Sequence, residues 1–137
     1  MKKIINILVA ALSVCALLSS CGKESQAPSS LVGKTYASTV SFDYDGETSG
    51  LFCFVFLTED KVETRLLRND GKEERGDVLT YTYDNPNLVM RFDDGYEAHT
   101  IKTVVDATGF TISDSDIDID GGLDGSTGQA YRFELRN

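Results

Sequence analysis

The sequence predicts an all-β domain, an antiparallel up-and-down meander of about eight strands closing into a small barrel, with a two-sheet β-sandwich as the alternative. Three observations carry this expectation. From Leu31 onward, short stretches rich in Thr, Val, Ile, Phe and Tyr are broken at regular intervals by Asp, Gly and Asn, which are strand and turn compositions respectively. No stretch sustains a helical period of apolar residues. The breaks are short, so each strand is expected beside the next, and without helices to cover it the sheet hides its edges most economically by closing.

Taken in order, strands are expected near 34–44, 50–58, 61–68, 77–84, 87–92, 97–105, 109–113 and 129–136, with a weaker extended piece at 115–120. Two-residue alternation assigns inward faces. These are Tyr36, Val40 and Phe42; Phe52, Phe54 and Phe56; Leu88, Met90 and Phe92; Ile101, Thr103 and Val105; Phe110 and Ile112; and Tyr131, Phe133 and Leu135. The candidate barrel interior is therefore Tyr36, Phe42, Phe52, Phe54, Phe56, Met90, Phe92 and Phe133. In the second strand the opposite positions Cys53, Val55 and Leu57 are also apolar, as in a strand covered on both sides. Thr58-Glu59-Asp60, Asp84-Asn85-Pro86-Asn87, Asp93-Asp94-Gly95-Tyr96 and Asp106-Ala107-Thr108-Gly109 carry turn residues, whose side chains and backbone freedom suit tight reversals. The polar stretches Asn69–Asp77 and Asp114–Gly128 read as long connections.

Before this domain the chain has a different character. Lys2 and Lys3 precede a mostly apolar run, Ile4 to Leu18, and then Leu18-Ser19-Ser20-Cys21-Gly22. The run is shorter than the ~20 residues a spanning helix needs, whereas a positive start, a short apolar core and small residues before a cut describe an export signal. The motif resembles the lipobox of bacterial lipoproteins, which implies removal of residues 1–20 and acylation of Cys21. Several acyl chains anchor a protein stably where one does not. Gly22 stands where Asp favours inner-membrane retention, so the resemblance implies the outer membrane, on its periplasmic face or at the cell surface. Residues 21–30, small and polar, are expected to form a flexible tether reaching up to about 30 Å. The barrel domain then covers 31–137.

Loss of residues 1–20 removes two lysines and no acid, so 13 basic and 22 acidic residues become 11 and 22 and the formal charge moves from −9 to −11. So acidic a surface disfavours nucleic acid as a partner. With Cys15 discarded and Cys21 acylated, Cys53 is left alone and no internal disulfide forms. The fold must hold through its apolar core.

Enzymatic groups are sparse. His99 is the only histidine and is expected at the rim. There is no nucleophile elbow, phosphate loop or His/Cys cluster at metal spacing, and the reading is a non-enzyme. One segment does suggest a ligand: Asp116, Asp118, Asp120 and Gly121 match the first half of a calcium loop, where alternate carboxylates converge on a hard cation, with Asp124 as a further candidate ligand. Its twelfth position is Thr127 where a bidentate Glu belongs. The competing reading places Ile117 and Ile119 inward and the aspartates in water, with Arg91, Arg132 or Arg136 as ion-pair partners. Calcium is the only cofactor the residues suggest.

Leu31-Val32-Gly33-Lys34-Thr35-Tyr36 opening a meander, and Tyr81-Thr82-Tyr83-Asp84-Asn85-Pro86-Asn87-Leu88-Val89-Met90-Arg91-Phe92 within it, resemble the small lipocalin-like lipoproteins of Gram-negative anaerobes over about residues 31–136. The resemblance implies a barrel plugged at one end by its entry segment, with Tyr36 standing where a lipocalin has Trp. It further implies a membrane-anchored, non-enzymatic protein binding a small apolar ligand. The alternative is an envelope interaction or inhibitor module with a filled barrel. Eight strands enclose just enough space for either.

Overall fold

Apolar and aromatic side chains alternating with polar ones draw eight segments into strands in the computed structural model, which describes residues 26–43, 49–93, 95–96, 98–113 and 129–137. The strands are β1 (Thr35–Asp43), β2 (Ser49–Phe56), β3 (Lys61–Arg68), β4 (Glu73–Asp84), β5 (Asn87–Asp93), β6 (Ala98–Val104), β7 (Gly109–Ser113) and β8 (Ala130–Arg136). They form one sheet in the order β6-β5-β4-β3-β2-β1-β8-β7, antiparallel at every pairing. β8 returns to pair with β1, which bends the meander into a nearly closed barrel. The remaining seam lies between β6 and β7, where the Thr103 hydroxyl donates to the Thr111 carbonyl at 2.7 Å. No helix occurs among the described residues.

Three sequence expectations need correction. Val40 was expected inside and is 47% exposed. The pairing of β1 with β2 slips between Ala37 and Ser41, with Ala37 opposite Cys53 and Ser41 opposite Leu51. The two surplus residues form a bulge, and a bulge re-aims the side chains that follow it. Ser38 stitches this irregularity, its hydroxyl donating to Val40 O at 2.7 Å and accepting from Phe52 N at 3.0 Å. Leu57, expected on a covered face, is 42% exposed because it lies one residue past the end of β2.

The third correction concerns the polar stretch after β3, which is not a loop. β4 begins at Glu73, and Glu73, Glu74 and Arg75 pair with Leu67, Leu66 and Arg65. Only residues 69–72 turn, closed by Arg68 N donating to Lys72 O at 2.9 Å and Gly71 N to Arg68 O at 3.0 Å. Salt bridges make these charged residues compatible with a strand: Arg65 meets Glu63 at 2.5 Å and Glu73 at 3.5 Å, and Arg68 meets Glu74 at 2.6 Å. A second bulge, between Glu63 and Arg65, absorbs one extra β4 residue. It sits at Gly76, where a Cβ would overlap the Thr64 hydroxyl. Thr64 instead accepts from Asp77 N at 2.9 Å.

Candidate functional site

The barrel interior is the site toward which the sequence pointed. Tyr36, Phe42, Phe54, Phe56, Met90 and Phe133 are buried there, and Phe52 and Phe92 are partly buried against the same cluster. Val62, Leu79, Tyr81, Leu88, Ile101, Val105, Phe110 and Ile112 belong to the same cluster. The aromatic rings touch in a chain. Tyr81 meets Phe56 at 4.8 Å, Phe56 meets Tyr36 at 5.8 Å, and Tyr36 meets Phe110 at 5.1 Å. Phe110 then stacks on Phe133 at 5.5 Å, and Phe133 packs on Phe54 at 5.0 Å.

This part of the interior is packed solid. Phe54, Val62, Leu88, Met90, Phe110 and Phe133 are 0% exposed, and a void able to admit water would leave accessible surface on the side chains lining it. Aromatic pairs of this kind add about 0.5–1.5 kcal/mol each beyond the area they bury. Burial pushes the Tyr36 hydroxyl pKa up to about 12, helped by Tyr83 and Asp106 nearby.

The two ends of the barrel differ. At one end lie the start of β1 and the turns β2–β3, β4–β5 and β6–β7. Residues 26–34 close it: Leu31 is 1% exposed, Lys34 N donates to Leu31 O at 3.0 Å, and Gly33 N donates to Phe56 O at 2.8 Å. The chain before Leu31 reaches the β4–β5 turn. There the Tyr83 hydroxyl donates to Pro28 O at 2.7 Å, and the Asn85 amide donates to Pro28 O at 3.2 Å and Ala27 O at 3.3 Å. The expected tether, 21–30, is thus docked on the barrel from Ala27 onward, because two distant polar side chains capture its carbonyls.

The opposite end, here called the mouth, carries the partly buried Phe52, Phe92 and Tyr131. Phe92 stacks on His99 at 6.5 Å, and Tyr131 packs on Phe42 at 5.0 Å. His99 is half-buried at this rim.

Cys53 is 2% exposed on the outer side of β2. Burial pushes its thiol up, with Arg136 pulling the other way, so it is not a ready nucleophile. Arg132, one of the bases considered for the aspartate segment, serves the β6–β7 turn. Its Nη2 donates to Asp106 at 2.7 Å and to the Thr108 hydroxyl at 2.6 Å, and Asp106 also accepts from Thr108 N at 2.8 Å and Gly109 N at 2.9 Å. The sequence marked the turn but not its arginine, which lies 26 residues away.

The Arg132 guanidinium, with the two backbone N–H groups, holds the Asp106 carboxyl well below the usual carboxylate range. A carboxyl depressed in the folded state stabilises above its unfolded pKa of about 4 and loses that contribution as pH falls below it. Because the side chain is 50% exposed, Asp106→Asn is expected to cost only about 1 kcal/mol near neutrality. Urea midpoints near neutrality and at about pH 3 should differ less in the variant than in the wild type. An unchanged difference would show that the turn is not the acid-sensitive element.

Cys21 and the aspartates Asp116, Asp118, Asp120 and Asp124 lie outside the described residues. Among the described residues no group of three or more His, Cys, Asp or Glu could hold a metal ion, and no helix is long and apolar enough to cross a membrane.

Fold and interior together define a class: a small, nearly closed eight-stranded meander barrel, packed in its plugged half and aromatic at its mouth. No family model, curated protein or solved structure matches the chain.

Proposed function

We propose that this protein is an envelope lipoprotein, acylated at Cys21 in the outer membrane, whose barrel is a non-catalytic interaction module. The observation that carries the module reading is the packed interior. Phe54, Phe110 and Phe133 fill the space between β2, β7 and β8, and the side chains of the plugged half pack against one another. The surfaces left to work with are the mouth and the outer faces of the strands, as in a protein that contacts another protein. The lipid anchor is supported by the layout of residues 1–22. The likeness to lipocalin-like lipoproteins is compatible with either a filled or a hollow barrel, since one barrel architecture serves many tasks.

A carrier of a small apolar ligand is the second reading, favoured by the partly buried Phe52, Phe92 and Tyr131 at the mouth. Native mass spectrometry of unlipidated residues 22–137, purified without detergent and compared with the denatured mass, separates the two. The module reading expects a bare chain that takes up no fluorescent fatty acid and cross-links to an envelope protein on intact cells. Apolar mass released on denaturation would replace it with the carrier reading.

A further inference from the structure

We propose that the plugged end of the barrel is its membrane-facing surface, resting on the lipid through Val32, Leu57 and Val104, so that the mouth points away from the bilayer. This rests on the acylation of Cys21 proposed above. The docked segment sets the geometry. Tyr83 and Asn85 hold Pro28 and Ala27 against the plugged end, leaving five residue steps between Cys21 and Gln26. Fully extended, they reach about 17 Å. A folded domain of 100 residues has a radius of gyration of about 13 Å, so no globular partner fits between this end and the membrane. The lipid surface itself is the occupant.

The exposed side chains suit that occupant. Of the six large apolar side chains exposed among the described residues, Val32, Leu57 and Val104, at 39%, 42% and 59%, stand at the plugged end, while Val40 and Val78 lie on the strands and Tyr96 in the β5–β6 turn. Val32 and Leu57 each adjoin one partner of the Gly33 N to Phe56 O hydrogen bond. Val104 ends β6, four strands away in the sheet order. A protein groove would call for one contiguous patch, whereas a flat lipid surface meets separated points on a rim together. The turns here also expose Glu59, Asp60, Asp84 and Asp106, beside Lys34 and Lys61, which fits zwitterionic headgroups better than anionic ones.

The test uses the full acylated protein in vesicles of phosphatidylcholine and phosphatidylethanolamine carrying a headgroup spin label. A fluorophore is placed at Glu59→Cys on the plugged end or at Lys72→Cys on the mouth turn, where the lysine side chain is 77% exposed; Cys53 is buried and unlabelled. The eight residues of β3, tilted in the barrel, set the two sites about 20 Å apart, so quenching at 59 should exceed that at 72 by about threefold or more. The double variant Tyr83→Phe, Asn85→Ala frees residues 27–30 while keeping both turns, and should bring the two sites close to equal.

Equal or reversed quenching in the wild type, or a contrast unmoved by the double variant, overturns the orientation and leaves the anchor standing. A protein without acyl mass that fails to float with vesicles overturns the anchor and the orientation together.

Discussion

Gly109→Ala is expected to destabilise the barrel by about 3 kcal/mol or more, a large share of the 5–15 kcal/mol that holds a domain folded. A Cβ at position 109 would overlap the carbonyl oxygen of Phe133, and would lie 2.9 Å from its carbonyl carbon and 3.0 Å from the Glu134 Cα. All three atoms are backbone, so no rotamer change relieves the clash. β7 would have to lift from β8 where Gly109 faces Glu134, and Phe110 and Ile112, 0% and 1% exposed, would lose their seats. The same residue anchors the β6–β7 turn, since Gly109 N donates to Asp106 and Gly109 O accepts from Asp106 N at 2.8 Å. β7 has five residues and one laddered neighbour, so little else holds it. Urea unfolding followed by far-ultraviolet circular dichroism measures the change. A loss under about 1 kcal/mol, the centre of the distribution for point mutants, would show that β7 does not approach β8 so closely.

Phe54→Ala should cost about 4 kcal/mol and open a cavity in the packed half of the interior. The Phe54 ring meets Phe52 at 5.3 Å, Phe110 at 5.8 Å and Phe133 at 5.0 Å. It therefore ties β2 to both β7 and β8 across the space that closes the barrel. Its removal leaves an apolar void, and such voids stay dry and admit small apolar guests. Thermal melts with and without benzene read both effects. The variant should melt lower than the wild type and recover part of the loss in benzene, because a guest bound only by the folded state stabilises it. Recovery of similar size in the wild type would mean that the interior already holds space, and the module reading would yield to the carrier.

Much of the interior was legible because alternation is a local property. Phe52, Phe54 and Phe56 share a face by the geometry of the strand alone, and so do Leu88, Met90 and Phe92. The plugged end was less legible. Leu31 and Tyr36 stood out at the start of the meander, but nothing in Gln26-Ala27-Pro28-Ser29 indicates that Tyr83, 55 residues later, accepts it as a lid. The charged start of β4 was hidden for a similar reason. Glu73, Glu74 and Arg75 look like loop residues until the partners on β3, Arg65 and Arg68, are beside them.

By itself the sequence determined the all-β class, about eight strands with most of their short turns, and most of the inward set from Tyr36 to Phe133, because each follows from period-two patterning and turn chemistry within a few residues. The tertiary structure alone decided that Val40 turns outward at a bulge, that Arg132 serves Asp106, that the seam lies between β6 and β7, and that residues 27–31 seal one end. Each of these depends on a contact between residues far apart in the chain. Such contacts exist only once the barrel has brought them together, so no local pattern records them.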